Sequence, residues 1–197
     1  MSASTSNTDK PLRQNRDPTV KHLPEIDVLF DEHQIAERVT EVSREIAARM
    51  PDEFLVVVVL KGSFVFAADL LRALHQAGSR PLVDFVTLSS YGTATESSGT
   101  VTLTRDLSEE VKGRTVLIVD DILDTGRTLA YAADLMTARG AAAVHTCVLL
   151  DKHEKREVEM EADFVGFPVG DRYVVGYGID LANYFRGLPF VGAVRMR

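Results

Sequence analysis

The apolar positions change their period along the chain, and each change marks an element. Ile35, Val39, Val42 and Ile46 recur at intervals of four, three and four, one stripe along one helix. Asp31, followed three residues later by Gln34, reads as the capping pair that opens it. Pro51-Asp52 ends that period, and Phe54-Leu55-Val56-Val57-Val58-Val59-Leu60 follows without polar alternation. A β-branched run of this kind predicts a central parallel strand covered on both faces. Lys61-Gly62-Ser63 then turns the chain into a second helix, whose Phe66, Leu70, Leu71 and Leu74 face the sheet before Gly78 stops it.

Further strands are expected over 82–88 and 101–104. The small, polar residues 89–99 between them lack anything to anchor them to a core and predict a mobile loop. After a turn at Lys112-Gly113, Thr115-Val116-Leu117-Ile118-Val119 forms a second wholly apolar strand, and a helix ending near Gly140 follows. Residues 144–150 are another buried strand, and short strands are expected around Phe164-Val165, Tyr173-Val174-Val175 and Phe190-Val191. Strands alternating with helices predict an α/β fold with a mostly parallel central sheet, whose ligands gather at the carboxyl ends of the strands. Residues 1–22 hold almost nothing to bury and predict a disordered tail, so 23–197 is read as one domain whose folding begins near Ile26.

Composition narrows the partners. A chain of 197 residues, 45% hydrophobic, suits one core and one active site. With 22 basic and 29 acidic residues the net charge is −7, which offers no general attraction to nucleic acid or to an anionic membrane. A polyanionic substrate would need local help from a metal ion, backbone N–H groups or a few placed cations. Cys147 is the only cysteine and sits in an apolar run, so it reads as core. No apolar stretch is long enough for a membrane span, the N-terminus lacks the layout of a signal peptide, and a cytoplasmic protein is expected.

The chemistry concentrates in Val116-Leu117-Ile118-Val119-Asp120-Asp121-Ile122-Leu123-Asp124-Thr125-Gly126-Arg127-Thr128. Asp120 and Asp121 are adjacent carboxylates where a buried strand is expected to reach solvent, and they repel unless a cation or hydroxyl groups satisfy them. A sugar diol with a bound Mg²⁺ would do both. Asp124-Thr125-Gly126-Arg127-Thr128 supplies hydroxyls, a glycine that permits close backbone approach and the free N–H groups of a helix start, a cradle for a phosphate. Strand ending and helix capping explain each residue singly, but capping does not require the whole string.

That string resembles the phosphoribosyl pyrophosphate loop of the type I phosphoribosyltransferases. The resemblance implies that fold, with a small hood built from the C-terminal region, and it covers about 26–194. It implies that Asp120 and Asp121 hold the ribose hydroxyls, that Asp124 to Thr128 wrap the 5′-phosphate, and that Asp124 is a general base or acid near purine N7. Leu60-Lys61-Gly62-Ser63 resembles the pyrophosphate loop of the hypoxanthine-guanine branch, in which the Leu-Lys peptide is often cis. Ser90-Tyr91 resembles its lid. The same likeness has Lys152 donating to a 6-oxo group, Tyr173 stacking on the base, Val174 reading the 2-position, Asp180 serving both the base side and a Mg²⁺, and Arg186 meeting pyrophosphate. Tyr173 departs from the Phe common there but keeps the aromatic face.

The activity implied is purine salvage: a 6-oxopurine, hypoxanthine and guanine foremost, is joined to phosphoribosyl pyrophosphate with Mg²⁺ by a homodimer or homotetramer. Chemistry agrees on the base, since an ammonium at Lys152 pairs with a carbonyl and leaves adenine's amine without a partner. Nucleoside triphosphatases would need a glycine-rich Lys-Ser/Thr loop earlier in the chain, which is missing. A receiver domain would carry its acidic strand at the start. An RNA-binding regulator would need a basic face, whereas Lys152, Lys155 and Arg156 interleave with Glu154 and Glu157.

Overall fold

The computed structural model describes residues 24–93 and 96–195, with side chains over 24–89 and 101–195. In chain order the elements are β1 (Ile26–Phe30), α1 (Glu32–Arg49), β2 (Leu55–Leu60), α2 (Phe64–Gln76), β3 (Leu82–Thr93), β4 (Glu96–Arg105), β5 (Thr115–Leu123), α3 (Arg127–Ala138), β6 (Ala143–Asp151), β7 (Phe164–Pro168), β8 (Val174–Val175) and β9 (Val191–Val194). One 3-10 turn, His153–Lys155, follows β6.

The six-stranded sheet runs β4-β3-β2-β5-β6-β7, parallel throughout except for β4, which pairs antiparallel with β3. The apolar runs of β2 and β5 lack polar alternation because both faces are covered. Val56, Val58, Leu117 and Val119 pack with Ile35, Val42, Phe66 and Leu70 of α1 and α2. Their neighbours Leu55, Val57, Val116 and Ile118 pack on the other face with Leu129, Ala132 and Met136 of α3. The period-two alternation thus divides one apolar strand between two cores. α1 opens with the expected capping box, Asp31 accepting from the Gln34 N–H at 2.9 Å while Gln34 accepts from the Asp31 N–H at 3.0 Å. Cys147 is buried, and burial pushes its thiol well above the usual range, which suits a core residue.

Three expectations are corrected. Residues 89–99, read as a mobile loop, are over their described part the paired ends of β3 and β4, with Ser90 opposite Val101 and Tyr91 opposite Thr100. Ser, Thr and Tyr satisfy an edge hairpin, where the ladder stands in for a core. β5 does not stop at Val119 but continues through both aspartates to Leu123, because β6 pairs with it beyond that point, Asp120 opposite Val148 and Ile122 opposite Leu150. The hood is also not C-terminal alone: β1 pairs antiparallel with β9, giving a three-stranded sheet β1-β9-β8. The tail read over 1–22 lies outside the described residues.

Candidate active site

The carboxyl ends of β2, β5 and β6, adjacent in the sheet, bring three segments together. The last residues of β5 carry Asp120 and Asp121. Asp120 is 5% exposed, and its carboxylate accepts from the Asp121 N–H at 2.9 Å. Burial holds the Asp120 carboxyl well above the ordinary carboxylate range, and the charge of Asp121 adds to it; burial also raises Asp121. Two such carboxylates side by side call for a positive charge or hydroxyl donors.

Gly62, just past β2, lies flat on this pair. A Cβ built on it would stand 1.7 Å from Asp121 Oδ2, so only a residue without a side chain lets the backbone pass. The Leu60-Lys61 peptide before it is cis. On the other side of the loop, a Cβ on Gly178 would come within 2.2 Å of the Gly62 carbonyl. Asp121, Gly62 and the turn after β8 are therefore stacked in contact.

The turn from β5 into α3 is secured from below. Thr125 C=O accepts from the N–H groups of Glu157 at 3.0 Å and Val158 at 3.1 Å, and Leu123 C=O accepts from Lys152 N–H at 2.9 Å. Gly126, at φ 87°, precedes the helix, whose first N–H groups have no intrahelical partner. The resulting hollow of about 50 Å³ is lined by Asp124, Thr125, Gly126 and Thr128, the size and chemistry of a small anion cradle. The Arg127 guanidinium turns aside to Glu157, with Nε to Oε2 at 2.8 Å, so Arg127 offers the cradle its backbone rather than its charge.

Lys152, just past β6, is 7% exposed, although His153, Glu154 and Lys155 after it are exposed. Its Nζ stands 3.7 Å from Asp124 Oδ2, and among the described residues the other oxygen, Oδ1, is buried without a hydrogen-bond partner. The ends of β6 and β5 thus bring a buried ammonium and a carboxylate side by side. Tyr173 is 59% exposed before β8, while Val174 is buried within it. Asp180 pairs with Arg186 Nη2 at 2.5 Å and accepts from the Asn183 N–H at 2.6 Å, and Arg186 also donates to Gly178 C=O at 2.8 Å. The segment between them holds Ala182, Asn183 and Phe185 at positive φ, a strained conformation of the kind concentrated at ligand sites. The Ser90 and Tyr91 side chains lie outside the described residues.

Among the described residues no three His, Cys, Asp or Glu side chains gather into a metal cage, so Asp120, Asp121 and Asp180 are not one by themselves. Asp120 is turned to the Asp121 N–H, and Asp180 to Arg186 and Asn183. The donors nevertheless fit Mg²⁺, which takes hard oxygen ligands and is ordinarily held by one or two carboxylates with substrate oxygens completing the shell. The raised, mutually repelling pair at Asp120 and Asp121 is the feature such a charge would relieve.

Three contacts are absent from the sequence-based expectations: Gly62 with Asp121, Lys152 with Asp124, and a hydrogen bond from Tyr177 to Asp69. Gly62 in a turn after a buried strand was the one local signal. The other two join residues that no spacing rule connects.

Comparison with known proteins agrees with this geometry. Residues 25–181 match the family model described as the phosphoribosyl transferase domain. The chain is 41% identical over 178 residues to the hypoxanthine phosphoribosyltransferase of Salmonella typhimurium, covering 89% of this chain and 97% of that protein. It is 45% identical over 166 residues to the hypoxanthine-guanine phosphoribosyltransferase of Aquifex aeolicus, covering 83% and 92%. Among solved structures, the hypoxanthine-guanine phosphoribosyltransferase of Bacillus anthracis with HEPES in its active site superposes with a TM-score of 0.81 at 42% identity, covering 87% of this chain and 100% of that one. A Trypanosoma cruzi hypoxanthine phosphoribosyl transferase, studied for the role of its C-terminal region in oligomeric state and activity, gives 0.81 at 36% identity, covering 89% and 94%.

Proposed function

The chain belongs to the phosphoribosyltransferase family, and from that premise we infer that it salvages 6-oxopurines, joining hypoxanthine or guanine to phosphoribosyl pyrophosphate. The observation that carries the base assignment is the 3.7 Å pairing of Lys152 Nζ with Asp124 Oδ2. In a 6-oxopurine, O6 and N7 are neighbours on one edge. A donor for the first and a proton acceptor for the second must therefore be neighbours too. Lys152 donates to O6; with adenine the same ammonium would face an amine and stay unpaired in a buried place, a mismatch that discriminates strongly.

The reaction forms the bond from N9 to C1′ and breaks the bond from C1′ to the pyrophosphate oxygen. As N9 attacks, the N7 proton passes to Asp124, whose half-exposed carboxylate stands beside Lys152. Asp120 and Asp121 hold the ribose hydroxyls, and the turn Asp124-Thr125-Gly126-Arg127-Thr128 receives the 5′-phosphate on its backbone N–H groups and hydroxyls. Tyr173 stacks on the base and the Val174 backbone meets its 2-position. Lys61, Gly62 and Arg186 take the departing pyrophosphate. Carboxylates of Asp120, Asp121 and Asp180, together with substrate oxygens, would hold Mg²⁺, which would supply neutralising charge to the phosphates. Ser90 and Tyr91 close over the centre and exclude water. The enzyme assembles as a homodimer or homotetramer, which sedimentation would check.

The test is a panel of hypoxanthine, guanine, xanthine and adenine, each with Mg²⁺ and with a chelator. Turnover should favour the 6-oxo bases and stop on chelation; adenine as the best substrate would remove Lys152 from base selection, and no turnover with any base would end the reading. Asp124→Asn should lower kcat about 10²- to 10⁴-fold while phosphoribosyl pyrophosphate still binds by calorimetry. An unchanged kcat would take the proton transfer away from Asp124.

A further inference from the structure

One contact outside the assigned residues ties the two halves of the site together. Tyr177 lies in the turn after β8, is 7% exposed, and donates its hydroxyl to Asp69 Oδ2 in α2 at 2.5 Å. Asp69 is six positions beyond Ser63, which ends the Lys61-Gly62 loop. Tyr177 holds a left-handed φ of 50° between Gly176 and Gly178, a conformation that costs a non-glycine residue energy and persists only where surroundings enforce it. Its neighbour Gly178 is the residue packed on the Gly62 carbonyl, and Gly178 C=O accepts from Arg186.

A cleft of about 530 Å³ opens between α1, α2 and this turn, with Val65, Asp69, Tyr177, Arg186 and Leu188 in its walls. Gly62 and Gly178 touch without a side chain to interlock them. Backbone bonds tie the turn to the segment that carries Arg186, from Tyr177 N–H to Leu188 C=O and from Gly178 N–H to Arg186 C=O, both at 2.9 Å, and the Tyr177 hydroxyl adds a directional side-chain bond from this unit to α2.

We propose that Tyr177 and Asp69 are positioning residues that hold the Gly178 turn, and with it Arg186, against the pyrophosphate loop at Lys61-Gly62. The proposal rests on the reading of the site as a phosphoribosyl pyrophosphate site. The latch bears mainly on the phosphate side: the turn carries Arg186 and bears on Gly62, whereas Lys152 and Asp124 hang from β6 and β5 and Val174 is held by its pairing with Ala193 in the β8–β9 ladder.

The experiment is Tyr177→Phe in the full chain, which keeps the ring and removes the hydroxyl. KM for phosphoribosyl pyrophosphate and the inhibition constant for pyrophosphate should both rise, about three- to tenfold, with the KM for hypoxanthine within about twofold of the parent. Asp69→Asn on its own, which leaves an amide oxygen to accept from the Tyr177 hydroxyl, should shift both constants less than Tyr177→Phe does. Val42→Ala in the core between α1 and the sheet serves as a stability control: it should lower Tm without moving the phosphoribosyl pyrophosphate KM. Parallel changes in both KM values, or a Val42→Ala variant that reproduces the Tyr177→Phe pattern, would reduce the contact to ordinary stability and overturn the proposal. An active parent with an unchanged phosphate-side KM in Tyr177→Phe would overturn the latch alone, whereas an inactive parent would overturn the site reading and the latch with it.

Discussion

Gly62→Ala is the sharpest way to ask whether the Lys61-Gly62 loop, proposed to meet pyrophosphate, and the Asp120-Asp121 pair, proposed to hold the ribose, work as one surface. The new Cβ would stand 1.7 Å from Asp121 Oδ2 and 2.5 Å from its Cγ, where ordinary contact begins at 3.4 Å. The collision therefore cannot be absorbed by a few tenths of an ångström. The loop cannot simply lift away either, since its carbonyl already lies under Gly178. Asp121 must swing or the loop must shift by more than about 1 Å, and a misplacement of that size costs on the order of 10²-fold in rate. With two binding elements displaced at once, we expect kcat/KM for phosphoribosyl pyrophosphate to fall about 10²- to 10³-fold, or about 2.7 to 4 kcal/mol of transition-state stabilisation. The assay is initial rates over a range of phosphoribosyl pyrophosphate at saturating hypoxanthine and Mg²⁺, with Tm measured in parallel. A folded Gly62→Ala enzyme within about threefold of the parent in kcat/KM would refute the argument.

Two further outcomes follow from other contacts. Lys152→Gln replaces the ammonium by an amide whose carbonyl can accept from an exocyclic amine, so the preference for hypoxanthine over adenine should narrow by about tenfold or more in competing kcat/KM values; a variant as selective as the parent would count against Lys152. Asp84 tests electrostatics away from the chemistry. Burial alone would raise its carboxyl, but the N–H groups of Glu109, Phe85 and Ser108 donate to it and lower it overall. A depressed folded pKa gives stability that is present above the unfolded value and is lost as pH falls through the folded one. Asp84→Asn should therefore lower Tm at neutral pH, with the difference beginning to shrink below about pH 4, where the unfolded carboxyl takes up its proton, and gone only once pH has passed the depressed folded value; a gap constant with pH would contradict the assignment.

Much of this molecule is legible in one dimension because its signals are local. The stripe Ile35, Val39, Val42, Ile46 and the Asp31 and Gln34 caps describe α1, and the unbroken apolar runs of β2 and β5 describe strands with two covered faces. Where expectation and structure part, the missing information is a partner strand. Nothing in 89–99 reports that Tyr91 has Thr100 opposite, and nothing at Asp120 reports that Val148 continues the ladder beyond it. β1 has the same history, since its partner β9 lies at the far end of the chain.

The site divides along the same line. The run from Asp120 to Thr128 is contiguous, so the resemblance to a phosphoribosyl pyrophosphate loop rests on neighbouring residues alone. Lys152 is the opposite case: judged by its charged neighbours it belongs in solvent, yet it is buried 3.7 Å from Asp124. What puts it there is the placement of β6 beside β5, with Leu123 C=O bonded to Lys152 N–H. The contacts of Gly62 with Asp121 and of Tyr177 with Asp69 depend in the same way on which strands are neighbours and where the hood turn comes to rest. Capping and periodicity act over a few residues, so α1, β2 and the apolar part of β5 were readable from amino-acid order. Which distant side chains meet, Lys152 with Asp124 or Gly62 with Asp121, follows from strand order and from the long-range packing that buries both faces of the sheet, and so came from the folded chain alone.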